Sequence, residues 1–152
     1  MKDLLFAAIE LTGKSCAIIG GGMVAERKVK RLLRCGASVS LFSPAVTKEL
    51  DSMAADGIIS VTRRGYKTGD LKGAFLAVIA TDSDEVNREA LKEATDLNIL
   101  TNAAFDKNYG NIYFNKTKDF GDFCVSAMSA EMLPKKSISI LDEIESYFDN
   151  KE

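Results

Sequence analysis

Gly20, Gly21 and Gly22, followed by Met23, Val24 and Ala25, are the residues of this 152-residue chain best suited by type and spacing to hold a ligand. Gly20-x-Gly22-x-x-Ala25 matches the dinucleotide-binding fingerprint, with alanine in the third place. The chemistry is phosphate binding. The first glycine permits a tight turn, the second lets a pyrophosphate reach the backbone, and the small third residue lets helix and strand pack closely. Backbone N–H groups and the positive end of a helix then hold the charge. A glycine turn that binds nothing has the same composition, so the flanking elements decide.

The chain contains no histidine. Proton transfer therefore falls to a carboxylate, Lys, Tyr, Cys, substrate or water, and imidazole metal ligation is excluded; no metal site is expected. Cys16, Cys35 and Cys124 are odd in number and lack a C-x-x-C pair, which argues against a disulfide framework or a zinc site. With 20 basic and 22 acidic residues, no concentrated basic surface points to nucleic acid. An anionic small ligand stays compatible. No apolar run approaches the roughly 20 residues that cross a bilayer, and the N-terminus lacks a secretory pattern. The expectation is a cytoplasmic protein with no membrane partner.

The elements that must position the glycines follow from periodicity. Residues 15–20 form a short apolar run, as in a parallel strand buried on both faces. Ala25, Val29, Leu32 and Leu33 then recur at helical spacing up to Gly36, a natural helix stop. A second strand is predicted over 38–42, and a second helix presents Val46, Leu50, Met53 and Ala54 before Gly57. Third and fourth strands are predicted over 58–61 and 74–80, the fourth reading as the sheet centre. Ser83 caps a helix carrying Val86, Ala90 and Ala94, and residues 98–101 give a fifth strand. This alternation predicts an α/β fold: a Rossmann-type, doubly wound parallel sheet. Beyond it, strands over 111–115 and 123–128 flank a polar turn at 116–121, and a helix starts near Pro134. Residues 1–107 are thus expected to form an NAD-binding Rossmann domain. Residues 108–152 form a small α+β dimerisation or substrate-side segment, too short to stand alone.

The second strand ends Leu41-Phe42-Ser43-Pro44, without the Asp or Glu that ordinarily binds the adenosine ribose. Ser43 offers one hydrogen bond there, and no Arg follows immediately to claim a 2′-phosphate, which favours NAD over NADP slightly.

Taken together, Gly20-Gly21-Gly22-Met23-Val24-Ala25-Glu26-Arg27-Lys28, then Ser43-Pro44, then Ala80-Thr81-Asp82-Ser83-Asp84-Glu85-Val86-Asn87, resemble the precorrin-2 dehydrogenase family, the N-terminal module of siroheme synthases. The resemblance covers nearly all of residues 1–145. It implies NAD-dependent oxidation of precorrin-2, a tetrapyrrole, to sirohydrochlorin in siroheme biosynthesis, by homodimers joined through the region after the Rossmann unit. It also implies that Met23, Val24, Pro44 and Ala45 line the cofactor site, with Thr81 and Asp82 beside it. In the family a fifth-strand Asn is followed by two apolar residues and then the Asp held responsible for catalysis. Here Asn102-Ala103-Ala104 leads to Phe105, and Asp106 arrives one residue later. The family's later glycine pair is replaced within Met128-Ser129-Ala130-Glu131-Met132-Leu133-Pro134.

Asp106 is therefore either a displaced general base or a solvated loop acid. Asp82 either touches cofactor or substrate or belongs to turn chemistry. Asn102 stands where it would hold nicotinamide or substrate. The alternative to the enzyme is a non-catalytic dinucleotide-binding or tetrapyrrole-handling accessory protein of the same descent. A nucleotide-sensing regulatory domain ranks last, because such domains keep the second-strand acid.

Overall fold

The computed structural model describes residues 4–129 and 133–149 and forms two compact units. One spans Ala8–Ile112; the other comprises the described parts of Met1–Ala7 and Tyr113–Glu152.

The first unit runs β1 (Ser15–Ile19), α1 (Met23–Arg34), β2 (Ser38–Phe42), α2 (Lys48–Ala55), β3 (Ser60–Thr62), β4 (Leu76–Ile79), α3 (Asp84–Asp96) and β5 (Leu100–Ala103). The sheet order is β3-β2-β1-β4-β5, parallel throughout. Two helices connect strands to one side of β1 and a third connects strands to the other, so the sheet is doubly wound and Rossmann-like, as expected. The central strand is β1, not β4. Unbroken burial of Leu76–Ile79 reports cover on both faces, which every interior strand shares; it does not rank strands by position.

Alternation assigns the faces. Ala17, Ile19, Ala77 and Ile79 pack with Ala90 and Ala94 of α3. Their neighbours Cys16, Ile18, Leu76 and Val78, equally buried, point to the opposite face, the side on which α1 buries Ala25, Val29 and Leu32. Each large apolar side chain so buried stabilises by roughly 1.5–3 kcal/mol. Burial also pushes the Cys16 thiol up to about 11, leaving it an inert packing residue.

Several boundaries depart from expectation. β3 starts two residues late because Ile58 and Ile59 donate their N–H groups to Met53 O, completing the end of α2. β5 is shifted likewise: Asn98 takes the left-handed conformation (φ 55°) and the Ile99 N–H donates to Ala94 O, so the strand waits until Leu100. No strand forms over 111–115. The Asn111 N–H donates to Thr101 O at 2.9 Å while its side-chain oxygen accepts from the Thr101 N–H at 2.7 Å. Asn111 thus occupies the edge of β5 at Thr101, partly through its side chain instead of a strand ladder.

In the second unit the predicted polar turn at 116–121 is largely a strand. β6 (Lys116–Asp119) pairs antiparallel with β7 (Cys124–Ala127) across a turn in which the Phe120 N–H donates to Phe123 O at 2.9 Å. Lys116, Lys118 and Asp119 suggested a loop, yet a two-stranded sheet tolerates polar side chains on its open face. Phe120, Phe123 and Phe148 of α4 (Pro134–Asp149) cluster with ring centroids 5.2–5.5 Å apart. Lys118 bridges Asp142 and Glu145 of the same helix.

Candidate functional site

At the carboxyl ends of β1, β4 and β2 the three glycines do three different things. Gly20 has φ +113°, and a Cβ there would lie 2.2 Å from Ala80 O, so only glycine lets β1 turn against β4. A Cβ on Gly21 would lie 2.2 Å from Ala45 O and 2.9 Å from both Ser43 Oγ and Val46 Cγ1. Gly21 is thus where the loop from β2 to α2 presses on the glycine turn, a role the fingerprint leaves unassigned. Over Gly22 there is nothing within 4 Å. Gly22 is also the N-cap of α1 and supplies no side-chain cap, so the N–H groups of the first turn face open space. That is a cradle for an anion. Met23 and Val24 flank it, both exposed.

The loop after β2 is fastened on both sides. The Ser43 N–H donates to Thr62 O at 3.1 Å and the buried Ser43 hydroxyl donates to Ala45 O at 2.7 Å. Its proton is committed inside the turn, leaving only its lone pairs for a ribose. Pro44 and Ala45 are exposed beside the glycine turn. The Thr47 N–H donates to Gly21 O at 3.0 Å, and its hydroxyl accepts from the Leu50 N–H, capping α2.

At the end of β4 the Thr81 hydroxyl donates to Asn87 Oδ1 at 2.7 Å, and the Asn87 amide donates to Thr81 O at 3.0 Å. Asn87, almost wholly buried, thereby ties the strand end to α3; the motif contained it, but nothing in the spacing marked its role. Asp82 stands exposed between Thr81 and the Ser83 cap.

Asn102 belongs to the row Leu41, Ile18, Val78, Asn102 across the sheet, on the α1 face, one residue below the strand end. Its amide donates to Ile112 O at 2.9 Å, while its Oδ1 is buried and has no protein partner. A buried acceptor without a donor costs about 1–3 kcal/mol. Asp106 lies in the turn beyond β5. Its Oδ1 accepts from both the Asn108 N–H at 2.8 Å and the Asn108 side chain at 2.9 Å; both bonds fall on Oδ1. Phe105, which displaces the acid by one place, stacks on Tyr109 at 5.8 Å and packs against the α3-side core.

The two arginines that follow β3 are occupied. Arg64 holds Asp70 by a two-pronged pair at 2.7 Å, which keeps the Asp70 carboxyl below its ordinary range, and Arg63 pairs with Asp51. A concavity of about 480 Å³ lined by Lys14, Lys72 and Phe75 sits at the amino ends of the strands, opposite the end where open parallel sheets bind ligands.

A dinucleotide fits the carboxyl-end groups: an open Gly22, an uncapped helix N-terminus for phosphate, exposed apolar flanks and an orphaned amide oxygen.

A family model described as NAD(P)-binding matches residues 7–116. The precorrin-2 dehydrogenase of Bacillus subtilis is 31% identical over 141 residues, covering 93% of this chain and 86% of that protein. The siroheme synthase of Chromobacterium violaceum is 33% identical over 91% of this chain but only 29% of its own length. Among solved structures, SirC, a precorrin-2 dehydrogenase, superposes with a TM-score of 0.84 at 26% identity, over 95% of this chain and 71% of that one.

Proposed function

The chain belongs to the NAD(P)-binding family of the precorrin-2 dehydrogenases and siroheme synthases, and from that premise we propose that it oxidises precorrin-2 to sirohydrochlorin with NAD. The observation that carries this reading is the match to the Bacillus subtilis dehydrogenase along nearly the whole of both chains, joined to a glycine turn left open only at Gly22. The reading extends to the dehydrogenase step, since the chain spans about three tenths of the siroheme synthase from Chromobacterium violaceum.

When bound, the dinucleotide supplies the hydride acceptor. The chain's own residues do the rest. Gly20 and Gly22 shape the turn, and the first-turn N–H groups of α1 hold the pyrophosphate. Met23, Val24, Ser43, Pro44 and Ala45 wall the cofactor cleft, while Thr81 and Asp82 border it at the end of β4. Asn102 offers its free Oδ1 to a donor such as the nicotinamide carboxamide. The oxidation removes two hydrogens from the substrate, one as hydride and one as a proton; Asp106 takes the proton on Oδ2.

Purified protein given precorrin-2 and NAD should produce NADH, followed by absorbance. Absence of turnover with NAD binding intact would overturn the enzyme. One observation favours the second reading, a non-catalytic dinucleotide-binding or tetrapyrrole-handling protein: Asp106 already serves Asn108 in a turn.

We also infer that two copies pair through the 113–149 unit. A hairpin and one helix bury little by themselves, and α4 leaves Ile138, Ile140, Tyr147 and Phe148 exposed. Sedimentation should show a dimer, and Ile140→Glu should shift it to monomer at micromolar concentration; a wild-type monomer at high concentration would refute the pairing.

A further inference from the structure

Behind the phosphate cradle, the carboxylate of Glu26 is nearly buried in the first turn of α1, although a negative charge there opposes an arriving phosphate. It is not free to meet one. Lys30 holds it at 2.9 Å and reaches on to Glu49 of α2 at 3.3 Å. Lys30 above all keeps Glu26 below the ordinary carboxylate range. Thr47, two residues before Glu49, is the residue whose N–H binds Gly21 O. The two ion pairs of Lys30 therefore join α1 to α2, the Thr47 N–H joins the start of α2 to the glycine turn, and the loop carrying Pro44 and Ala45 lies between these ties.

We propose that Glu26 is a positioning residue that, through Lys30 and Glu49 at the start of α2, clamps the 43–47 loop against Gly21 and so sets the width of the dinucleotide cleft. The clamp takes the place of the missing second-strand acid: the chain holds the adenosine side with a fixed loop wall instead of a ribose-binding carboxylate. Gly21 is needed because the clamped loop leaves no room for a Cβ. The inference rests on the dinucleotide reading of the site.

The test uses the whole protein with Glu26→Ala and Glu26→Gln, the second keeping an oxygen toward Lys30. Glu26→Ala should raise KM for NAD about five- to tenfold with kcat within about twofold, the pattern of lost binding that is uniform along the reaction. Glu26→Gln should recover at least half of that loss on a logarithmic scale. In both variants, without NAD, hydrogen exchange of the Thr47 amide is compared with wild type. Faster exchange in Glu26→Ala, largely restored in Glu26→Gln, supports the clamp; unchanged exchange, or a fall in kcat with KM constant, overturns it. A wild-type protein that binds no NAD but shows this exchange pattern would remove the dinucleotide reading and leave the clamp standing.

Discussion

Gly22→Asp is expected to abolish dinucleotide binding without destabilising the protein. Gly22 is extended (φ −81°, ψ −172°), a conformation open to any residue, and no atom lies within 4 Å of its Cβ position. Asp is a better helix N-cap than glycine by a few tenths of a kcal/mol, so the melting temperature should hold or rise slightly. The same carboxylate would occupy the first-turn N–H groups and place a negative charge where the pyrophosphate must sit. NAD affinity should fall at least about a hundredfold, roughly 2.7 kcal/mol, by calorimetric titration. Gly20→Ala gives the opposite pairing. It forces a Cβ into Ala80 O at a positive φ, so it should lower the melting temperature strongly. If both variants lost binding and stability together, the division of labour among the three glycines would be wrong.

The second large effect concerns Asp106. Asp106→Asn keeps an oxygen able to accept from the Asn108 N–H, so the turn survives, but it removes the base. Turnover should fall about 10²–10⁴-fold, the range in which a positioned acid or base acts, while NAD affinity stays within about twofold because the residue acts on substrate. Asp106→Ala loses the turn as well and should in addition lower thermal stability. Turnover of Asp106→Asn equal to wild type would assign the acid to turn structure alone and move proton removal to water or another group.

Much of this was legible along the chain. The glycine run, the buried strand before it and the amphipathic helix after it specify the Rossmann unit locally, because each depends on residues within one turn or one strand. The Ser83 cap was equally plain, since capping is decided within three residues. The shift of β5 was not: Asn98 in a left-handed turn and Ile99 bonded back to α3 move the strand by two places, and apolar content is blind to that. Nor was the fate of 111–115, where Ile112 and Phe114 alternate like a strand but Asn111 pairs with β5 through its side chain.

The candidate site divides along the same line. Sequence by itself determined the glycine turn with its dinucleotide fingerprint, the absence of imidazole chemistry and the family, because those rest on residue identity and short spacing. Tertiary structure alone decided that the loop presses on Gly21 while Gly22 stands open, that Ser43 spends its proton on Ala45, that Asn102 keeps a buried oxygen unpaired, and that Glu26 reaches α2 through Lys30. Each of these joins residues that share no element, and such pairings arise only when parallel strands bring their carboxyl ends to one edge of the sheet.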